Sequence, residues 1–425
     1  MRAGARGDAF RTVRSVWLAA TGAILLAATY ASARGNNPGD PGFDKPLLTR
    51  PFEGAPFADL LDLVFGALAR WDAVHYLAIA NDGYVGGSHG AWEETRAGFF
   101  PLYPMLVRVL SGDAAHPAVV LILAQLVSVA AFLAALYLLY RLVELELGDV
   151  RVARAAIVLL AASPFALYFV APYTESLFLA IVIGAFYAAR TGHWAAAGIL
   201  GALATACRVP GIAILAPLVV LYFYGPRADR PPVAAGAGLR ALLPRYRPRL
   251  DGLWLALVPA GIASFSAYLH LARGDALAWL HNQAEGGVTG SHRFFPFQGV
   301  WEGFDWAWHA VTQLASTDPA VGARADDLLN FAALLLVAAA LVWMVRRLPF
   351  AYVACTLAFV AIPLSATTVG EPLKSFARYA TIAFPLFICL AAVCERRRAT
   401  AWVAGASAVL LLVHTAAFAR WQWVA

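Results

Sequence analysis

Residues 70–84 read RWDAVHYLAIANDGY, and residues 97–104 read AGFFPLYP. In the first run Asp72 opens a pattern in which Val74, Leu77 and Ala78 recur at helical spacing. Asp72, His75, Tyr76 and Ile79 stand at i, i+3, i+4 and i+7, so they share one face of a short helix. That face offers a carboxylate, an imidazole and a phenol, and the opposite side is apolar. Such a helix is expected to lie flat at a membrane surface, its polar groups turned toward an aqueous pocket. Asn81-Asp82-Gly83 ends it. Phe99, Phe100, Pro101, Tyr103 and Pro104 then turn the chain back into lipid, as an interfacial aromatic belt does.

The surrounding composition fixes the class. Of the 425 residues 61% are hydrophobic and only 14% charged, with a mean hydropathy of +0.67. These values lie far from a soluble domain and describe an all-α polytopic membrane protein, one integral domain over 1–425. The net charge of +6 does not point to nucleic acid, because the arginines sit in short clusters between apolar spans. Cys207, Cys355, Cys389 and Cys394 fall in or beside such spans with no metal-ligand spacing, and read as small core residues.

Apolar runs are expected to form about eleven transmembrane helices: Val16–Ala33, His116–Leu142, Val152–Ala171, Ser176–Ala189, Trp194–Cys207, Val209–Tyr224, Leu253–Ala272, Leu328–Val345, Phe350–Thr368, Tyr379–Val393 and Ala401–Phe418. Several are short enough to be re-entrant or interfacial. Ala31-Ser32-Ala33 resembles a signal-peptidase site, yet the many later spans favour an uncleaved first helix. Alternating sides gathers Arg141, Arg151, Arg154, Arg190, the basic loop at 225–250, Arg346, Arg347 and Arg396–Arg398 together with the N-terminal arginines. This places the N-terminus in the cytoplasm. A first outer loop over 34–115, carrying interfacial helices, and a second outer loop over 273–327 then lie outside. So do Asp72, the Pro172-Tyr173-Thr174-Glu175 turn, Arg208 and the segment 370–378.

Four stretches in order resemble the PIG-V mannosyltransferase family: the opening RWDAVHYLAIANDGY with GFFPLYP, SPFALYFVAPYTESLFLA (163–180), ALATACRVPG (202–211) and FARYATIAFPLF (376–387). The resemblance extends from about Arg70 to Leu386. It implies a GT-C glycosyltransferase that uses a polyprenyl-phosphate sugar, with an essential aspartate in the first outer loop. It further implies inversion at the sugar and no metal or other cofactor.

The chemistry itself asks for a base toward the incoming hydroxyl and for donors toward the departing phosphate. Asp72 fits the base, its bland alternative being a helix-start acid. Arg70, Trp71, His75, Tyr103, Tyr173 and Tyr379 are candidates for substrate and donor contacts. Glu175 is either a sugar-hydroxyl acceptor or an acid at the positive end of the next helix. Arg208, Lys374 and Arg378 are the candidate phosphate binders. Lys45 and Lys374 are the only lysines among 32 Lys and Arg. Snorkelling is the ordinary fate of span-end cations. Arg208, which interrupts two apolar runs, is expected to be functional or paired with Glu175. His281, His292 and His309 sit near Trp301, Trp306 and Trp308 without metal spacing; surface histidines and interfacial tryptophans are the plain reading.

The expected partners are therefore a lipid-linked sugar donor, a glycolipid or other membrane acceptor, and the bilayer. A transporter would carry charge at mid-span and paired broken helices, and a non-catalytic scaffold would need neither the aspartate nor the outer cations. Another polyprenyl-linked sugar remains open.

Overall fold

A computed structural model describes residues 3–34, 51–84, 95–112, 116–232, 243–284, 292–295, 297–313, 321–368 and 372–424. The chain gathers into two compact units, 1–180 with 390–424, and 181–389. In the first, α1 (Ala3–Arg34) is followed by α2 (Ala58–Phe65), α3 (Asp72–Asp82), α4 (Leu102–Ser111), α5 (Pro117–Leu147) and α6 (Val150–Ala161). The boundary falls inside α7 (Glu175–Arg190). The second unit holds α8 (Trp194–Cys207), α9 (Leu215–Tyr224), α10 (Ala260–Arg273), α11 (Ala278–Ala284), α12 (Gln298–Gln313), α13 (Val321–Arg347), α14 (Phe350–Ser365) and α15 (Phe376–Ala380). The second boundary lies in α16 (Pro385–Arg397), and α17 (Thr400–Ala419) completes the first unit.

The protein is an all-α multi-pass membrane protein. Among the described residues five helices are long and apolar enough to cross a bilayer: 7–34, 117–147, 250–273, 328–347 and 400–419. The 31 residues of α5 rise roughly 46 Å, more than the hydrocarbon core needs. Its start is set by Pro117 at the first turn and by His116, whose ring nitrogen accepts from the Ala118 amide. Gly148 in the left-handed region stops it.

Other expected spans are interrupted. The run 152–171 is helical only to Ala161, because Pro164 cannot continue the ladder; a 3-10 turn, Ala166–Phe169, follows. The run 379–393 is split into α15 and α16 before Pro385. The run 350–368 is helical to Ser365 and then extended. There Ala366–Thr368 pairs antiparallel with His292–Phe294, a small ribbon that the hydropathy pattern does not reveal.

In the first unit α1 packs on α17 and α5, and the Trp17 indole donates to the Val129 carbonyl at 2.9 Å. In the second unit α8 lies so close to its neighbours that a Cβ on Gly198 would stand 2.1 Å from the Trp254 carbonyl oxygen, and one on Gly261 2.1 Å from that of Ala202. Small residues permit this backbone approach, as membrane helices commonly use. The helix α12 exposes Trp301 and Trp308, the expected interfacial anchors. All four cysteines are buried.

The described part of the basic loop is stapled rather than loose. The Arg227 side chain is fully buried, its guanidinium over the rings of Trp194, Tyr222 and Tyr246 at 4.5, 4.7 and 5.5 Å. It bonds Asp229 at 2.6 Å and reaches Asp251 at 3.4 Å. The hydrogen bond from Arg227, ahead of its charge, holds the Asp229 carboxyl below the usual carboxylate range, although burial opposes this. Its contribution is therefore present above the unfolded carboxylate value near about 3.9 and fades as pH falls through the lower folded value. Arg227→Ala is expected to cost about 2–3 kcal/mol, less than a fully buried pair because both aspartates keep some solvent contact. In detergent this should lower the thermal midpoint by roughly 5 °C, while an unchanged midpoint in the variant would show that the cluster adds nothing to stability.

Candidate active site

The site is built on α3, and its surroundings differ from the expected flat surface helix. Ala73 through Ala80 are all buried, and only the ends, Asp72, Asn81 and Asp82, stay partly open. Polar residues at i, i+3 and i+4 suggest a wet face. Instead the polar face is lined by other aromatics. His75, 2% exposed, stacks on Phe99 at 4.5 Å and 16°. The Tyr76 ring packs edge-on against Phe99, Tyr103 and Tyr173, and its hydroxyl lies 3.3 Å from Thr174 Oγ1.

Both helix ends are fixed by the protein, as a short buried helix requires. At the C-terminal end Arg108 donates to the carbonyls of Ala80 and Asn81, at 3.3 and 2.9 Å. Arg96, its side chain 3% exposed, donates to the Gly83 carbonyl at 2.9 Å and pairs with Asp82 at 3.2 Å. At the N-terminal end the residue preceding the helix is Trp71, with no side-chain cap, so Asp72 is the first helical residue rather than the cap. Its carboxylate sits at the positive end of the helix and is half-buried.

Trp71 has φ 54° and ψ −122°, a region costing of order 1–3 kcal/mol for a bulky residue and sustained only by rigid surroundings. Arg70 supplies part of that rigidity. Its Nη1 donates to the Gly66 carbonyl at 2.8 Å and its Nε to that of Ala419 at 3.3 Å. Its own carbonyl accepts the Tyr173 hydroxyl at 2.8 Å.

Arg70, Tyr103 and Tyr173 thus fasten backbone around Asp72. Tyr103 and Tyr173 are fully buried; the Tyr103 hydroxyl donates to the Ala124 carbonyl at 2.7 Å, and Ser128 to that of Tyr173 at 3.1 Å. Glu175 is 1% exposed, in the first turn of α7.

The second unit gathers the candidate cations. Arg208 is half-buried in the extended break between α8 and the 3-10 stretch Val209–Ile214. Its guanidinium stands 5.7 Å from the centre of the Tyr379 ring, and that of Arg378 stands 5.9 Å from the same ring. Arg378 is 3% exposed, so it is enclosed by protein rather than snorkelling. The amide of Ala377 donates to Asn330 on α13 at 2.8 Å, which fixes the short helix α15. Lys374 is half-buried one turn upstream. His281 is exposed and bonds Asp275 at 2.8 Å, and the exposed His309 bonds the Asp305 carbonyl, the plain surface reading for both. The described residues include only the backbone of His292.

Sequence reasoning missed Arg96, Arg108 and Ser128. An arginine beside aromatic and apolar residues is a usable signal for the first two, because such a charge needs local carbonyls. Ser128 carries none.

Residues 43–223 match the family described as Mannosyltransferase (PIG-V). This span includes three of the four resembling stretches; FARYATIAFPLF lies beyond it. A GPI alpha-1,6-mannosyltransferase 2 of Cricetulus griseus is 32% identical over 160 residues, 36% of this chain and 31% of the relative. One from Mus musculus is 31% identical over 163 residues. A GPI mannosyltransferase 2 of Drosophila pseudoobscura pseudoobscura is 29% identical over 146 residues. The chain spans about a third of the length of these relatives. Through residues 43–223, which carry Asp72 and the arginines that fix its helix, this chain is related to the PIG-V mannosyltransferases.

Proposed function

We propose that the chain is a membrane glycosyltransferase that moves a mannosyl group from a polyprenyl-phosphate donor to a hydroxyl of a glycolipid or other membrane acceptor. Asp72 carries the reading: it is a half-open carboxylate at the head of a helix that is otherwise buried and fixed at both ends. In this mechanism Asp72 takes the proton from the acceptor hydroxyl as that oxygen attacks the anomeric carbon. The bond from that carbon to the donor phosphate oxygen breaks, and polyprenyl phosphate leaves with the electron pair. One displacement inverts the anomeric centre and needs one carboxylate. The convergence of Arg208 and Arg378 on Tyr379 supports a second assignment, that these cations hold the donor phosphate.

Asp72→Asn is expected to lower transfer of radiolabelled mannose from a synthetic polyprenyl-phosphate donor by at least about 100-fold, the lower end of general-base effects. Folding should be intact. Turnover near wild type would remove Asp72 as the base. Donor titrations should show Arg378→Ala weakened about ten- to a hundredfold, with Arg378→Lys recovering only part, because an ammonium cannot reproduce the planar fork. Unchanged kinetics in both would move the phosphate to Arg208 or Lys374. Activity with another polyprenyl-linked sugar but not mannose would change the sugar and keep the class.

The proposed topology puts α3 on the outer face of the cell membrane, with the N-terminus in the cytoplasm. Cysteine labelling at Gly54 should report outside and at Ala237, which lies outside the described residues, inside. Labelling of both from one side would overturn the orientation.

A further inference from the structure

The turn that presents Asp72 leans on a segment some 350 positions away in the chain. After α17 the Gln422 amide returns to the Ala417 carbonyl at 3.0 Å and the Trp421 amide to that of Phe418 at 3.0 Å. This is the helix ending that normally places glycine in the left-handed position. Here Trp421 occupies it, with φ 62°, an unfavourable choice for a bulky side chain. The ring so placed lies edge-to-face with Trp71, centroids 5.9 Å apart at 67°. Trp423 approaches the same Trp71 ring at 5.3 Å and 85°. The Arg70 guanidinium lies over Trp421 at 4.7 Å while its Nε holds the Ala419 carbonyl.

Two aromatic residues with positive φ therefore face each other across one contact, Trp71 immediately before Asp72 and Trp421 just past the end of α17. The end of α17 is itself anchored. Phe418 packs edge-on against Tyr168 and Tyr173 at 5.5 and 6.0 Å, and Arg420 donates to the Ala31 carbonyl at 3.4 Å. Tyr173 closes the circuit, since its hydroxyl bonds the Arg70 carbonyl. That carbonyl also accepts the Ala73 amide at 3.2 Å, and the Trp71 carbonyl accepts Val74 at 3.0 Å, the first bonds of the helix carrying Asp72.

We infer that Trp421 and Trp423 are positioning residues: they clamp Trp71 in its strained positive-φ conformation and so fix where Asp72 stands. The inference rests on the assignment of Asp72 as the base. Misplacement of a reacting group by about 1 Å is enough for a hundredfold loss.

The experiment compares Trp423→Ala, Trp423→Leu and Trp423→Phe with wild type in detergent, reading mannosyl transfer and amide hydrogen exchange. Trp423→Ala and Trp423→Leu are expected to lower kcat about ten- to a hundredfold with the donor KM within about twofold, and Trp423→Phe to restore most of the rate. Protection of the Ala73 and Val74 amides should fall in the Ala and Leu variants while that of α5 holds. Combined with Asp72→Asn, Trp423→Leu should remove little further activity, because both act through one carboxylate. The Leu variant keeps apolar burial, so it reads the clamp even if Trp423→Ala does not fold. Wild-type kcat in Trp423→Leu, a loss confined to KM, or unchanged exchange at Ala73 and Val74 would overturn the clamp. Absence of transfer in wild type, with exchange at Ala73 and Val74 still responding to Trp423, would instead strike the assignment of Asp72.

Discussion

A short helix buried along its sides leaves its first amides and last carbonyls to be met largely by the protein itself. For α3 that constraint organises the first unit. Arg96 and Arg108 are drawn inward to meet its last carbonyls. At its start the chain enters through Trp71, in a backbone conformation that an isolated peptide would abandon. The carbonyl of Arg70 is claimed by Tyr173, and the side chain of Arg70 by Gly66 and Ala419. A carboxylate held this way gives up its conformational freedom at folding.

The second unit solves a different problem. Cations beside hydrocarbon need either a partner or a protein wall. Arg227 has both, in aromatic rings and two aspartates. Arg208 and Arg378 share the face of one phenol, and α15, only five residues long, stands where it does because Asn330 on α13 holds its backbone. The same residue type thus serves as a staple in one place and as a candidate anion contact in another.

Much of this was legible from hydropathy. Runs such as 117–142 and 401–418 are helices in the structure, and the helix over Asp72–Asp82 follows from its periodicity. The interruptions were legible in part, since Pro164 and Pro385 forbid the ladder there. The enclosure of α3 was not. His75 and Tyr76 look like surface residues until Phe99, Tyr103, Tyr173 and Thr174 arrive from elsewhere in the chain. Spacing along one helix says which residues share a face but not what covers it. The motifs mark the tyrosines at 103 and 173 but not the backbone carbonyls that their hydroxyls fasten. Trp421 and Trp423 carried no signal at all, because their meaning depends on a contact across hundreds of residues.

The approach of α8 to its neighbours has an evolutionary reading. At 198 and 261 even a methyl group would fall 2.1 Å from a backbone oxygen, so no rotamer change can make room. Swaps among the apolar side chains around this contact can be absorbed by repacking, whereas a side chain at either glycine would meet backbone. Escape from either requires two helices to separate together, a step that single substitutions do not supply.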